Sequence, residues 1–352
     1  MKRLSWMSTE VPAHRGPLIV DISNPELECE DKALLSHPAV GGVILFARNT
    51  PDVEQTKALC ESIKAIDSQL LIVIDQEGGR VQRLLNGVTR LPPLAVLGSL
   101  YAEDPQLALV KAYDLGWLMA SEIHSAGIDL SLAPVLDLDD SRCPAISNRS
   151  FSPSPQIATE LAHSYIKGMN STGMGATGKH FPGHGQVTLD SHVAKPLDPR
   201  SLSDIEHTDL IPFLSLIEQQ ALAAVMPAHI TFTSIDKYPV GFSRHWLQTL
   251  LRDKYGFSGL IFSDDLNMDG ADIPGGYRAR AQAALDAGCD LLLLCNNRSA
   301  VNDVIDGIPH RLASDEAHSR KLQLLQSETY VPSDQDKLRR SEISSWLSSF
   351  ES

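Results

Sequence analysis

Short runs of apolar residues recur along the chain at intervals that suit a parallel β-sheet. Most are continuously apolar and rich in Leu, Ile and Val, which is typical of strands that are buried on both faces. The runs lie at 17–22, 41–47, 70–79, 129–137, 175–183, 223–230, 259–266 and 289–296. The pattern therefore predicts eight buried strands.

The segments between these runs have the periodicity of amphipathic helices, with a polar face on each. They lie at 52–66, 104–127, 154–173, 203–220, 243–256 and 277–288. Several begin with Ser, Asp or Pro and end with Gly, as helices commonly do. Asp104 with Pro105, Ser154 with Pro155, and Ser203 are the candidate residues at helix starts.

Strands that alternate with helices over residues 1–310 predict an α/β protein with a single-domain (β/α)8 barrel. A doubly wound open sheet is the alternative, but it usually has fewer strands, and no G-x-G-x-x-G motif follows the first apolar run. Residues 311–352 are charged and rich in Ser, and one helix is predicted there, at 335–350. We expect this tail to pack on the barrel rather than to form a second domain.

Composition narrows the range of partners. The 352 residues carry a formal net charge of −14, which argues against nucleic acid or an anionic membrane surface as the main partner. No apolar run approaches the roughly 20 residues that span a bilayer, and the first residues lack the pattern of a signal peptide. The five Cys form no C-x-x-C pair, which favours buried, reduced thiols. We expect a cytoplasmic protein without membrane insertion.

Polar residues interrupt the apolar runs where the predicted strands end. In barrel enzymes the reacting groups lie at the carboxyl ends of the strands, so these side chains are candidates for chemistry. They are Asp75 to Arg80, Lys179 with His180, His229, Asp264 with Asp265, and Asn296 with Asn297. Carboxylates, histidines and a lysine at one mouth predict a reaction site, although salt bridges at the mouth are the alternative for each residue taken alone.

The segment 179–193 is the densest in chemistry, with three His, one Lys and one Asp. Pro182 and the neighbouring Gly residues exclude a regular helix, so we expect a loop that acts as a mobile lid. Asp190 precedes His192 by two residues. At this spacing a carboxylate can hold an imidazole in one tautomer and raise its basicity, and a surface histidine is the alternative.

The segment 262–271 contains two adjacent carboxylates. Asp264 follows the apolar run directly, so it is the candidate nucleophile or charge stabiliser at the barrel mouth. Asp265 is instead expected to face a neighbouring strand or to cap the following helix.

Five motifs, taken together and in this order, resemble the family 3 glycoside hydrolases. Within that family they are similar to the short bacterial β-N-acetylglucosaminidases of peptidoglycan recycling, which are β-N-acetylhexosaminidases. The motifs are DQEGGRVQRL (75–84), SNRSF (147–151), KHFPGHG…DSH (179–192), VMPAHI (225–230) and FSDDLNMDGA (262–271). The resemblance covers residues 15–300, and Asn267 and Asp269 stand where the family more often has Ser and Glu.

The resemblance implies a retaining mechanism through a covalent glycosyl-enzyme. On the matching positions, Asp264 is the nucleophile, His192 is the general acid/base and Asp190 is its partner. A histidine suits this role because its ordinary pKa, near 6.5, allows it to donate and then to accept a proton close to neutral pH. The positions that match the family's binding site for the terminal sugar are Asp75, Arg83, Arg149, Lys179 and His180.

The resemblance also implies the substrate and its setting. The substrate is a muropeptide in which a non-reducing GlcNAc is β-1,4-linked to anhydro-N-acetylmuramic acid, and the enzyme acts in peptidoglycan recycling. The reaction needs neither a cofactor nor a metal ion, and we expect the enzyme to be a monomer.

Three rival functions stay open. A metal-dependent barrel hydrolase would use the ligand set His180, His184, His229 and Asp264. Pro182 and Gly183 break any helix that would align the first two of these, which weakens that hypothesis. A phosphorylase would keep the fold but accept phosphate, which a histidine acid does not repel. A non-catalytic sugar-binding barrel would lack the nucleophile or the acid, and this sequence has both.

Overall fold

The computed structural model is an α/β structure in which parallel strands are separated by helices. It describes residues 14–139, 142–187, 195–312, 316–326, 330 and 332–348. Each of the eight predicted apolar runs overlaps a strand. In chain order the strands are β1 (Leu18–Val20), β2 (Val40–Leu45), β3 (Leu71–Ile74), β4 (Gln76–Gly78), β5 (Val81–Gln82), β6 (Leu130–Ser131), β7 (Thr177–Phe181), β8 (Leu197–Asp198), β9 (Ala224–Pro227), β10 (Thr231–Phe232), β11 (Leu260–Ile261) and β12 (Leu292–Leu294).

The strands of the two largest sheets pair in parallel. One sheet has the order β12-β1-β2-β3-β6 and another has the order β11-β9-β7. Single parallel bridges, Val135 to Lys179 and Phe262 to Leu291, join the two sheets at both of their edges. Because strands in this arrangement are covered on both faces, their side chains, such as those of Leu18, Ile19 and Val20, have no exposed surface.

Helices follow most of the strands and cover them. They are α1 (Cys29–Leu35), α2 (Val53–Ile66), α3 (Ala95–Glu103), α4 (Pro105–Ser125), α5 (Pro155–Asn170), α6 (Leu202–Glu206), α7 (Leu210–Glu218), α8 (Gly276–Ala287), α9 (Arg298–Gly307), α10 (Glu316–Gln323) and α11 (Asp334–Ser348), with a π-helix at His245–Lys254. The helix start at Asp104 is confirmed, since its carboxylate accepts a hydrogen bond from the Leu107 N–H. Ser154 also precedes α5, although its side chain makes no capping bond.

One predicted helix is divided in two. The pattern predicts a continuous helix at 203–220 that begins at Ser203, and this is wrong. Ser201 caps α6 instead, because its hydroxyl accepts a hydrogen bond from the Asp204 N–H, so Ser203 lies inside the helix. Pro212 lies in the first turn of α7, where its missing N–H is tolerated, and the chain therefore starts a new helix there.

The C-terminal tail contains two helices in its described part rather than the single one predicted. α11 lies against α4, where the Arg339 guanidinium donates to Asp114 at 2.7 Å and stacks on the Trp117 ring at 4.4 Å. Ile343 of α11 and Leu322 of α10 are buried. The tail therefore contacts the rest of the chain through both apolar and charged groups.

The cysteines are free in the structure, and four of them, Cys60, Cys143, Cys289 and Cys295, are buried. The prediction of buried thiols is wrong for Cys29, which is exposed at the first position of α1. Within the described residues, none of the helices combines the length and apolarity needed to cross a bilayer.

Candidate active site

A cavity of about 440 Å³ opens where the parallel strands end. Its lining includes every described residue that the sequence singles out for catalysis or sugar binding. These are Asp75, Arg83, Arg149, Lys179, His180 and Asp264. Asp190 and His192 lie outside the described residues. Two other cavities are larger, at about 790 and 700 Å³, so size alone does not identify this site.

Asp75 links two cations at the mouth of this cavity. It leaves β3, and the β4–β5 hairpin brings Arg83 back beside it, where Arg83 Nη2 lies 3.3 Å from Asp75 Oδ2. Lys179 Nζ donates to Asp75 Oδ1 at 2.9 Å. Burial alone would raise the pKa of Asp75, but the charges of Lys179 and Arg83 outweigh it and lower that pKa. Asp75 is therefore an ionised acceptor in the cavity.

Glu77 belongs to the candidate stretch Asp75 to Arg80, but it is absent from the predicted sugar-binding set, although it lines the cavity. Its side chain is 2% exposed and joins two cations, since Oε1 lies 2.7 Å from Lys179 Nζ and 2.8 Å from Arg149 Nη2. Glu77 Oε2 accepts from Arg149 Nε at 2.8 Å, which completes a bidentate pair. Its place two residues after Asp75, at the end of a buried strand, made it a candidate, but nothing in the sequence identified its partners.

The same pairs keep all three of these groups charged. Burial opposes the charge of Glu77, but Arg149 and Lys179 hold its pKa well below the usual range. The carboxylates in turn raise the pKa of Lys179 and of Arg149 against the effect of burial. The cavity therefore offers fixed cationic donors beside fixed carboxylate acceptors, which is a surface suited to a ligand rich in hydroxyl groups.

His180 is held by Asp137, a residue that the sequence analysis did not single out. Its Nδ1 lies 2.8 Å from Asp137 Oδ2. Asp137 follows β6 on the chain, beside the end of β7 that carries His180. His180 also lines the cavity, and its side chain is 11% exposed.

Asp264 and Asp265 have different surroundings although they are adjacent. Asp264 lines the cavity, and its Oδ1 accepts the Asp265 N–H at 2.8 Å. Asp265 Oδ1 accepts the N–H groups of Asn267 at 3.0 Å and of Cys295 at 3.1 Å, so it ties this segment to the end of the neighbouring β12. Burial raises the pKa of Asp265 to about 7. The expectation that Asp265 faces a neighbouring strand describes it correctly.

The remaining histidines of the proposed metal-ligand set contact protein groups. His184 Nδ1 lies 3.4 Å from Cys143 Sγ, and His229 Nε2 lies 3.2 Å from the carbonyl oxygen of Asp265. Burial lowers the pKa of His184 to about 4, so its ring is neutral at pH 7. In the part of the chain that the structure describes, no group of three or more His, Cys, Asp or Glu side chains could hold a metal ion.

Comparison with known proteins gives the family. The model of the glycosyl hydrolase family 3 N-terminal domain matches residues 14–324. The β-hexosaminidase of Tolumonas auensis is 52% identical over 300 residues, which cover 85% of this chain and 88% of the relative.

Solved structures give the same result. The chain superposes on the crystal structure of native NagZ from Neisseria gonorrhoeae with a TM-score of 0.87 and 40% identity, over 94% of this chain and 98% of that one. A second structure of that protein, in complex with N-trifluoroacetyl-D-glucosamine, gives the same TM-score, identity and coverage. The resemblance drawn from the five motifs is confirmed, and the chain belongs to glycosyl hydrolase family 3 as a glycoside hydrolase of the β-hexosaminidase type.

Proposed function

We propose that the enzyme is a retaining exo-β-N-acetylglucosaminidase of peptidoglycan recycling. Its substrate is a muropeptide in which a terminal, non-reducing GlcNAc is β-1,4-linked to (anhydro)MurNAc. The observation that carries the proposal is the convergence on one cavity of Asp264 with the set Asp75, Arg83, Arg149, Lys179 and His180. A carboxylate nucleophile and a cradle of charged donors and acceptors are what hydrolysis of a glycoside needs.

The charged set binds the terminal sugar. Asp75 accepts hydrogen bonds from sugar hydroxyls. Arg83, Arg149 and Lys179 donate to sugar oxygens, because their ion pairs with Asp75 and Glu77 hold them in place. Hydrogen bonds of this kind that strengthen in the transition state lower the barrier. The related NagZ was crystallised with N-trifluoroacetyl-D-glucosamine, which supports an N-acetylated sugar as the ligand here.

Asp264 and His192 carry the two chemical steps. In the first, a carboxylate oxygen of Asp264 attacks the anomeric carbon while His192 protonates the glycosidic oxygen, so that bond breaks and the aglycone leaves. In the second, His192 removes a proton from water, the water oxygen attacks the anomeric carbon, and Asp264 is released. Asp190 orients the His192 ring and stabilises its charged form.

The proposal includes the architecture around the site. The parallel pairings and the two bridges between the sheets support a closed (β/α)8 barrel over residues 1–310. The contacts of α11 and α10 support a tail, residues 311–352, that packs on this barrel. A monomer in the cytoplasm is the setting we propose, in keeping with the free thiols.

The test is release of p-nitrophenol from p-nitrophenyl β-N-acetylglucosaminide, with EDTA present and no added phosphate. We expect turnover by the parent enzyme, near-complete loss in Asp264→Ala and His192→Ala, and parent-like activity in Asp129→Asn, a control at the opposite end of the strands. A folded but inactive parent enzyme contradicts the proposal. Activity that metal restores favours the metal hydrolase, and a rate that rises with phosphate favours the phosphorylase.

A further inference from the structure

Asp137 is a buried carboxylate, and one of its two partner residues, His180, lines the cavity. The side chain of Asp137 has no exposed surface. Oδ1 accepts the backbone N–H of His180 at 3.0 Å and that of His184 at 2.8 Å, while Oδ2 lies 2.8 Å from His180 Nδ1. One carboxylate therefore fixes one ring and two points of the main chain.

These contacts determine which nitrogen of the His180 ring carries a proton. Burial alone would raise the pKa of Asp137, but His180 and the hydrogen bonds lower it, so the carboxylate is ionised. An ionised carboxylate only accepts hydrogen bonds, so His180 Nδ1 must carry a proton. The other ring nitrogen, Nε2, is then left for a ligand of the cavity that the ring lines.

Asp137 differs from the other buried carboxylates of the site in the kind of side chain with which it pairs. Asp75 and Glu77 pair with Lys179 and with Arg side chains, which stay charged whatever their orientation. Among the described residues, His180 is the basic side chain within ion-pair distance of Asp137. A histidine needs such a partner because its tautomer and ring orientation decide what it offers to a ligand.

We propose that Asp137 is a positioning residue for this glycosidase. It holds His180 in the tautomer that is protonated on Nδ1, so that Nε2 faces the sugar. Through the His184 N–H it also anchors the segment that leaves β7 to the same carboxylate. The inference rests on the proposed function, since it needs His180 to contact the substrate.

The test is a double-mutant cycle of Asp137→Asn and His180→Ala on p-nitrophenyl β-N-acetylglucosaminide. Asparagine keeps an oxygen for the main-chain N–H groups but presents an NH2 group that cannot accept from Nδ1. Loss of the carboxylate that orients a metal-bound histidine typically costs about 10- to 100-fold in activity, and we expect Asp137→Asn to lower kcat/KM by a comparable factor. With His180 already replaced, the same change should cost less than about 3-fold, since coupled residues are not additive.

The outcomes separate this inference from the proposed function. An equal loss in both backgrounds, or no loss in either, overturns the positioning role while the parent enzyme stays active. A parent enzyme that does not cleave the substrate overturns the proposed function itself. Asp129→Asn is the matched control, because Asp129 is also buried and also accepts a main-chain N–H, that of Ile72, but it lies at the other end of the strand.

A second measurement does not depend on how well Asp137→Asn folds. Nitrogen NMR of the full chain, labelled with 15N-histidine, reports which ring nitrogen carries a proton. The His180 signals are assigned by their loss in His180→Gln. We expect a protonated Nδ1, and an unprotonated Nδ1 overturns the inference.

Discussion

Asp129 and Asp137 flank the same strand, β6, and both are buried, yet their surroundings differ. Asp129, before the strand, accepts from Lys64 Nζ and from the Ile72 N–H, both at 2.8 Å. Burial dominates there and raises the pKa of Asp129, although Lys64 opposes it. Asp137, after the strand, meets a histidine ring and two main-chain N–H groups, and its pKa is lowered. Burial of a carboxylate therefore does not by itself mark a functional site, and what distinguishes Asp137 is a partner, His180, that lines the cavity.

The buried cations at the two ends differ in the same way. At the base, Arg15 is 1% exposed; its Nε donates to Asp67 at 2.7 Å, and its Nη1 donates to the Leu35 carbonyl at 2.8 Å. At the mouth, Arg149 and Lys179 are held by Glu77 beside an open cavity. At the base, the charged side chains join segments of the chain. At the mouth, they line a cavity that a ligand can enter. Substitutions at the two ends should therefore separate stability from activity.

The largest effect is expected for Asp264→Ala. Removing the proposed nucleophile should lower kcat by at least about 10⁴-fold, as the loss of such a group commonly does. Measurement of p-nitrophenol release together with thermal unfolding checks this, and the melting temperature should change little. Retention of more than a small fraction of the activity would remove Asp264 from the proposed mechanism.

Glu77→Ala should impair both stability and activity. It leaves Arg149 and Lys179 without their shared carboxylate, and removing one partner of a buried ion pair typically costs about 3–5 kcal/mol of unfolding free energy. Because both cations also face the cavity, KM should rise and kcat should fall. Urea unfolding and steady-state kinetics test this, and an unchanged kcat/KM in the folded variant would contradict the sugar-binding role of the pair.

Arg15→Met should impair stability alone. It leaves Asp67 buried without its cation, at a comparable cost of about 3–5 kcal/mol, but no part of this pair lines the cavity. At a temperature where the variant stays folded, kcat/KM should equal that of the parent enzyme. A large loss of activity in this folded variant would erase the distinction between the two ends.

The pH dependence of the free energy of unfolding should reveal the contribution of His184. Its pKa is near 6.5 when unfolded and about 4 when folded, so the unfolded state binds more protons between these values. His184 therefore makes its full contribution to the free energy of unfolding above pH 6.5. As the pH falls toward 4, this residue lowers that free energy by about 3 kcal/mol. Unfolding curves between pH 4 and 7 should show a shallower loss on acidification in His184→Gln than in the parent enzyme.

Asp265 gives the opposite slope and serves as the control. Its pKa is about 7 when folded, above the ordinary value of a carboxyl group, so its contribution to stability is present at low pH and is lost as the pH rises toward 7. Asp265→Asn should remove this opposing contribution. The net rise in the free energy of unfolding with pH should then be steeper than in the parent enzyme. Identical pH profiles for the two variants would contradict both assignments.

The smallest effect is expected in the tail. Arg339→Ala removes the pair with Asp114 and the stacking on Trp117. Partly exposed ion pairs and cation–π contacts each contribute at most about 1 kcal/mol, so stability should fall by about that amount. Activity should be unchanged, and lower kcat/KM in this variant would show that the tail acts on the site.

Many of the strands and several site residues could be predicted, because the patterns that specify them lie within short stretches of the sequence. Continuous apolar runs locate the buried parallel strands, and the polar residues that follow them locate Asp75, Lys179 and Asp264. The predicted run 70–79 joins β3 and β4 into one strand and omits β5, although Gly78 and Gly79, both with positive φ, mark the turn of the β4–β5 hairpin. A Gly-Gly pair is a turn signal that could have been used.

The partners of the site residues could not be predicted in this way. Glu77 pairs with Arg149, which lies 72 positions away, and Asp137 pairs with His180, which lies 43 positions away. No local pattern specifies which of the many acidic residues meets a given cation, because the meeting depends on how non-adjacent segments pack. The sequence therefore predicts most of the groups that line the cavity, but not which carboxylates pair with them.

The most direct test of the account is to trap the covalent intermediate. A 5-fluoro analogue of N-acetylglucosaminyl fluoride should slow breakdown of the glycosyl-enzyme, because the electronegative fluorine destabilises an oxocarbenium-like transition state. After inactivation, mass spectrometry of the intact protein and of its peptides should find one sugar residue, attached to Asp264, and none on Asp264→Ala. A sugar attached to another residue, or inactivation without any added mass, would contradict the assignment of Asp264 as the nucleophile.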